Sequence, residues 1–118
     1  MRITLRSNDT VIKAVLIDNP TSRDFYSLLP VTLPFKDFAE SEKIAYLDRK
    51  LSTKEAPQGA KAQAGDLTYY SPWGNLAIFY RDHSFASGLV TLGRLIDNYE
   101  LLTDKFCAEV TIEKDLNL

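Results

Sequence analysis

Apolar residues recur at every second position where the chain begins: Ile3 and Leu5 alternate with Arg2, Thr4 and Arg6. After Ser7-Asn8-Asp9-Thr10, the β-branched run 11–17 resumes, and Asn-Asp tolerates the positive φ of a tight turn. The pattern predicts an opening β-hairpin. The same period of two returns late in the chain, where Phe106, Ala108, Val110 and Ile112 alternate with Cys107, Glu109, Thr111 and Glu113. That alternation predicts a half-buried closing strand. Between these ends, the apolar runs 67–70, 76–80 and 89–96 predict further strands at short spacing. A Ser71-Pro72-Trp73-Gly74-Asn75 turn separates the first two.

One segment breaks the β period. Asp18-Asn19-Pro20-Thr21 reads as a helix start, with proline near the first turn and Asp24 three residues after Thr21 as a capping box. Phe25, Leu28 and Leu29 share one helical face, and Pro30 stops the helix. Residues 31–38 return to strand composition, and Pro34 there requires an edge or bulge position. Residues 40–51 mix charges with Ile44, Tyr46 and Leu47 and read equally as a strand, a helical turn or a packed loop. The polar stretch 52–64, with Pro57 and Gly59, reads as a loop and as the best place for mobility. Residues 98–102 suit one helical turn. About eight strands with one or two short helices predict a mainly β fold, a small closed barrel, in which closure removes exposed strand edges.

Composition narrows the functions. A chain of 118 residues, 45% hydrophobic, suits a single domain spanning 1–118. Fourteen basic against sixteen acidic residues leave a net charge of −2, so the general attraction to a phosphate backbone is missing and nucleic acid is not expected as a partner. One cysteine makes no internal disulfide, which fits a reducing compartment, the cytoplasm. The opening run lacks a continuous apolar stretch, so neither a signal peptide nor a membrane span is expected.

Candidate chemistry is sparse. Arg81-Asp82-His83-Ser84 holds the residue types of a hydrolase triad, but in immediate succession, where side chains cannot converge. His83 is therefore expected as a solvated turn residue. Cys107, mid-strand on a polar face, lacks the helix end or cationic neighbour that would activate a thiol. One histidine and one cysteine cannot build a transition-metal site, and the acidic residues lack calcium-loop spacing, so no metal, cofactor or catalytic residue is assigned. The aromatic residues Tyr46, Tyr69, Tyr70, Trp73, Phe79, Tyr80 and Phe85 cannot all face a core. Phe79 and at least one of Tyr69 and Tyr70 are expected inside the barrel, and the others point to an aromatic-lined cleft with Arg94 or Arg81 as polar anchor.

Asp18-Asn19-Pro20-Thr21, Leu28-Leu29-Pro30, Glu42-Lys43-Ile44-Ala45-Tyr46, Gly65-Asp66-Leu67, Leu76-Ala77-Ile78-Phe79-Tyr80 and Leu92-Gly93-Arg94 occur in that order along the chain. In these motifs the sequence resembles the small prokaryotic cyclophilin-like domain proteins from about Ile3 to Ile112, a family of mostly unassigned function. The resemblance implies a cyclophilin-like barrel of about eight strands capped by short helices. Cyclophilins isomerise prolyl bonds by positioning and electrostatics. Aligning Gly93 with the corresponding glycine puts Leu89 where the groove histidine belongs, and Ser84 or Phe85 near the tryptophan position. Apart from Arg94, the central arginines are Arg49 and Arg81, and neither stands in the apolar, glutamine-rich motif that carries the cyclophilin catalytic arginine. Glu42 and Arg94, both within the matching motifs, are expected to pair at one mouth of the barrel, with Gly93 allowing close backbone approach.

The expected function is non-catalytic binding of a peptide or small molecule at Glu42, Tyr46, Tyr69, Trp73, Phe79 and Arg94. The alternatives are a divergent peptidyl-prolyl isomerase using Arg49, Arg81 or Arg94, and a homo-oligomerisation or protein-interaction domain anchored by Trp73 and Phe85.

Overall fold

A computed structural model describes residues 1–96, 102 and 108–116. The element order is β1 (Arg2–Ser7), β2 (Thr10–Leu16), α1 (Pro20–Ser27), β3 (Val31–Phe38), β4 (Glu42–Tyr46), β5 (Gly59–Ala62), β6 (Asp66–Tyr70), β7 (Asn75–Phe79), β8 (His83–Ser87), β9 (Leu89–Leu95) and β10 (Ala108–Lys114). Eight strands close an antiparallel barrel in the order β1-β10-β3-β4-β7-β6-β9-β2, and β5 pairs with β8 in a separate two-stranded sheet. The expected mainly β, closed cyclophilin-like barrel with a short helix is therefore the observed fold. No helix among the described residues is long and apolar enough to cross a membrane.

Alternation builds the interior. Ile3, Leu5, Ile12, Ala14 and Leu16 point inward from the opening hairpin, whose turn places Asn8 at φ 53°. Leu67, Tyr69, Leu76, Ile78, Leu92, Val110 and Ile112 complete the packed core, and Phe25 of α1 plugs it. Ala108 departs from the predicted alternation: it is exposed where β10 begins. Phe106 and Cys107 lie outside the described residues, as does the predicted turn at 98–102 apart from Leu102, which is buried in the core.

Several local expectations change. The helix is capped by Asn19, whose Oδ1 accepts from the Ser22 N–H at 2.8 Å, with Pro20 in the first turn. The Thr21–Asp24 capping box does not form, because both side chains reach the segment after β4. Thr21 donates to the Ser52 carbonyl at 2.6 Å, and Asp24 takes Arg49 at 2.7 and 3.0 Å and the Ser52 N–H at 2.7 Å. Residues 40–51, left open by their pattern, contain β4, and the expected loop 52–64 contains β5. Pro34 satisfies its edge requirement locally, since β3 pairs with β10 through Phe35 and with β4 only from Lys36 onward.

Lys43 is the one charged residue turned inward on β4, on the same side as Ala45 and 1% exposed. Its ammonium lies 3.3 Å from Asp37 Oδ1, and the Tyr80 hydroxyl donates to the same oxygen. Burial, reinforced by that hydrogen bond, pushes the Tyr80 phenol up to about 12. Asp37 and the Tyr80 ring, 5.8 Å from the ammonium, are among the groups that make burial of this cation tolerable.

Asp24 yields a pH-dependent prediction. Hydrogen bonds from Arg49 hold its carboxyl below the usual carboxylate value, burial opposes them, and the Ser52 N–H adds to the lowering. A depressed folded-state pKa contributes stability that is present above the unfolded value of about 3.9 and lost as pH falls through the folded value. Because the ion pair is partly hydrated, Asp24→Ala should cost only about 1 kcal/mol at neutral pH. Urea unfolding across the acid range should show that deficit closing below the ordinary carboxylate pKa. A deficit independent of pH would assign the effect to helix packing instead.

Candidate functional site: an aromatic cleft under the second sheet

β4, β7 and β6 turn one face to the core and the other outward. Register aligns their outward positions in rows: Tyr46, Asn75 and Tyr70 with Leu89 of β9, then Ile44, Ala77 and Thr68, then Glu42 and Phe79. In most half-buried sheets this face would be polar. Here Ala62 of β5 and Ala86 of β8 lie on it, and with Ile44, Ala77, Phe79 and Leu89 they form a second apolar cluster. Every residue of β7 is consequently buried.

The second sheet leaves one part of this face uncovered, a cleft of about 180 Å³. Ile44, Asn75 and Phe79 line it from the barrel, Phe38, Tyr70 and Trp73 from one side, and His83 and Ala86 from β8. Trp73 meets Phe38 edge-on at 5.7 Å and Tyr70 edge-on at 5.4 Å, the quadrupole-favoured geometry. Its turn is held by Gly74, which supplies a φ of +73° and donates to the Tyr70 carbonyl. Ser71 also fastens the turn, donating from both its backbone N–H and its hydroxyl to the Gly88 carbonyl. Trp73 is 52% exposed although its turn is fixed from both ends.

Polar groups enter at defined points. Asn75, 2% exposed, donates its amide nitrogen to the Leu76 carbonyl at 3.0 Å. Only that nitrogen can donate, so the amide orientation is settled, and Oδ1 is buried without a hydrogen-bond partner among the described residues. An unsatisfied buried acceptor costs about 1–3 kcal/mol and calls for an explanation. Half-buried Glu42 shares the cleft, with the Ser41 hydroxyl 3.5 Å away. Burial pushes its carboxyl above the ordinary value, the nearby His83 imidazole pulls it partly back, and Asp37 adds to the rise. His83 Nδ1 lies 2.7 Å from the Ser84 carbonyl, to which it must donate, and its ring tilts against Phe79 at 5.5 Å. In the neutral imidazole Nε2 is thus the acceptor.

Glu42, Trp73 and Phe79, three of the residues singled out from sequence, come together here. The other three do not line the cleft. Tyr46 projects outward on β4 opposite Asn75 and is 49% exposed. Tyr69 is fully buried in the barrel, its hydroxyl accepting from the Leu51 N–H at 3.0 Å. Arg94 binds Asp66 at 2.5 Å, with Gln63 and the Ala64 carbonyl as further partners, so the expected Glu42–Arg94 pair is replaced by Arg94–Asp66. Gly93 does allow close approach, but of this chain's own strand: a Cβ there would sit 2.1 Å from the Val15 carbonyl oxygen. Phe79 was expected inside the barrel and lies instead on its outer face, in the second cluster.

Phe38, Ile44, Asn75, His83, Ala86 and Leu89 were not anticipated as lining residues. His83 was expected in a solvated turn and instead begins β8, exposed but over the cleft. Among the described residues no serine or cysteine lines the cleft, whose walls offer apolar contact, ring faces and hydrogen-bonding groups. No cluster among the described residues is suited to a metal ion.

An eight-stranded antiparallel barrel with a two-stranded flap over an aromatic cleft is a cyclophilin-type architecture. The model of the Cyclophilin-like family matches residues 5–113, and the chain belongs to that family. Among solved structures, it is similar to the solution structure of a hypothetical protein from Archaeoglobus fulgidus, with a TM-score of 0.75 and 17% identity. That likeness covers 98% of this chain and 95% of the archaeal one, and it establishes the fold alone. No curated protein matches the chain.

Proposed function

We infer that this domain is a non-catalytic binding module whose ligand enters the cleft between the barrel face and β8. The observation that carries the reading is an aromatic cleft whose wall includes Asn75, with a buried Oδ1 that has no hydrogen-bond partner among the described residues. A bound group supplying a donor would offset its desolvation. At about 180 Å³ the cleft is smaller than the roughly 300–1,000 Å³ of a drug-sized site, so it suits one side chain or a metabolite fragment. The absence of an arginine from the cleft lining among the described residues favours this reading over a prolyl-isomerase groove.

Trp73 is the sole tryptophan and stands at the rim, so its fluorescence reports occupancy. Titration with a series of N-acetyl amino-acid amides, spanning apolar, polar, anionic and cationic side chains, should give a saturable change for at least one class. Phe79→Ala, which removes the ring facing His83, should weaken that response by about tenfold or more. No response from any amide, in fluorescence and in backbone-amide NMR shifts alike, would overturn the binding reading. Acceleration of prolyl isomerisation in the same samples would replace it with the enzyme reading.

The exposed rings of Trp73 and Phe85 favour a second reading, a self- or partner-binding surface. A molecular mass that rises with concentration, and is returned to monomer by Trp73→Ala, would support it.

A further inference from the structure

Three polar side chains of the cleft, Asn75, Glu42 and His83, present acceptors. Asn75 Oδ1 is a buried acceptor with no partner among the described residues, and the amide's donor end is taken up by Leu76. Glu42 brings a carboxylate whose one side-chain hydrogen bond among the described residues, from Ser41, is long at 3.5 Å. His83 donates from Nδ1 to its neighbouring carbonyl, so Nε2 of the neutral ring accepts as well. Among the described residues no lysine or arginine lines the cleft to answer them, and its remaining donors are the neutral Tyr70 hydroxyl and the Trp73 indole N–H at the rim. A ligand bringing another carboxylate or carbonyl would add an acceptor to acceptors. One bringing several N–H groups and a positive charge would satisfy what the cleft leaves open.

Shape narrows the choice between cations. Phe38, Tyr70 and Trp73 make the adjoining wall apolar and aromatic. An ammonium ion is compact and strongly hydrated, and few groups here would replace its water. A guanidinium is planar and weakly hydrated, stacks on ring faces, and spreads its donors in one plane across more than one acceptor.

We propose that the cleft selects a planar cationic group, a guanidinium or amidinium on a stem of side-chain size, with Glu42 and Asn75 as its acceptors and Trp73 as its aromatic wall. The proposal rests on the cleft being a ligand site and specifies what that site recognises. Such a group can arrive as a peptide arginine or as a small free guanidine. Burial is the main cause of the upward displacement of the Glu42 carboxyl, and His83 offsets only part of it, so a bound cation would add to what stabilises the charged form.

The test compares matched pairs. Calorimetry and Trp73 fluorescence would be run with N-acetyl-arginine amide against N-acetyl-citrulline amide, which keeps stem and shape but loses the charge. N-acetyl-lysine amide would be compared with N-acetyl-norleucine amide, and free agmatine titrated alongside. The arginine amide should bind about tenfold or more tighter than the citrulline amide, since charge-assisted bonds are roughly twice as strong as neutral ones. Glu42→Gln, a near-isosteric change at a partly exposed position, should remove most of that preference while its thermal midpoint stays near wild type. Equal affinity of agmatine and the arginine amide would support the proposal with a free guanidine as the source. Tighter binding of the amide would support it with a peptide as the source. Saturable binding of norleucine or citrulline amide at or above the arginine affinity would overturn the proposal and leave the binding module standing. Preference for lysine over arginine would also overturn it. Silence from every amide would remove both.

Discussion

Gly93→Ala is expected to destabilise the barrel by about 3 kcal/mol, the upper end of the usual range for overpacking. The cause is not backbone conformation, since Gly93 does not occupy the left-handed region. A Cβ at this position would lie 2.1 Å from the Val15 carbonyl oxygen and 2.8 Å from Leu16 Cα. Both are backbone atoms of the facing strand, so no rotamer change relieves the contact. The strands must separate where β2 meets β9, a junction registered through Ala14–Leu95, Val15–Arg94 and Leu16–Gly93. That junction closes the barrel, and loosening it exposes core on both sides. For a chain of this length the thermal midpoint should fall by roughly 10–15 °C, measurable by calorimetry. Gly74→Ala supplies the contrast. There φ is +73° but nothing lies nearer than 3.9 Å, so only left-handed strain of about 1–2 kcal/mol is expected. A Gly93→Ala protein as stable as wild type would show that β2 and β9 can separate without loss.

Tyr69→Ala should cost about 3–5 kcal/mol, as truncation of a buried aromatic does. Tyr69 is fully buried among the inward residues of β6, and its removal leaves a cavity that the closed barrel cannot collapse. Tyr69→Phe divides that cost. The ring remains, but the Leu51 N–H loses the hydroxyl that accepts from it at 3.0 Å in a buried setting. About 1–2 kcal/mol is expected for that unpaired donor. Guanidinium chloride unfolding of both variants gives the two numbers, and a cost for Tyr69→Phe near zero would mean that the Leu51 amide finds another acceptor. Ligand affinity of folded Tyr69→Phe should match wild type, because the residue faces the core and not the cleft.

The sequence readings succeeded and failed for identifiable reasons. β1, β2 and most of β10 were legible because each has one wet face, so burial alternates along it. β4 was not, because a lysine sits at an inward position and pairs with Asp37 beyond the reach of local pattern. β5 and β8 escaped because both are short, carry small or polar residues and pair mainly with each other. Glu42, Trp73 and Phe79 could be singled out by residue type and by the turn that presents the tryptophan. Asn75 gave no local signal, since the same residue at the end of a turn is ordinary. Its meaning lies in an oxygen left without a hydrogen-bond partner among the described residues.

Sequence alone determined the mainly β class, the opening hairpin, the presence of a helix before Pro30 and an excess of aromatic residues over what one core can hold. These depend on periodicity, turn chemistry and amounts, which are properties of a chain read in order. Tertiary structure alone decided that Tyr69 is core, that Phe79 lies outside the barrel, that Arg94 answers Asp66, and that Glu42, Asn75 and His83 share a cleft. Those outcomes depend on strand register and on β8 folding back over β7. Both are set by contacts between residues far apart in sequence, and no short-range period encodes them.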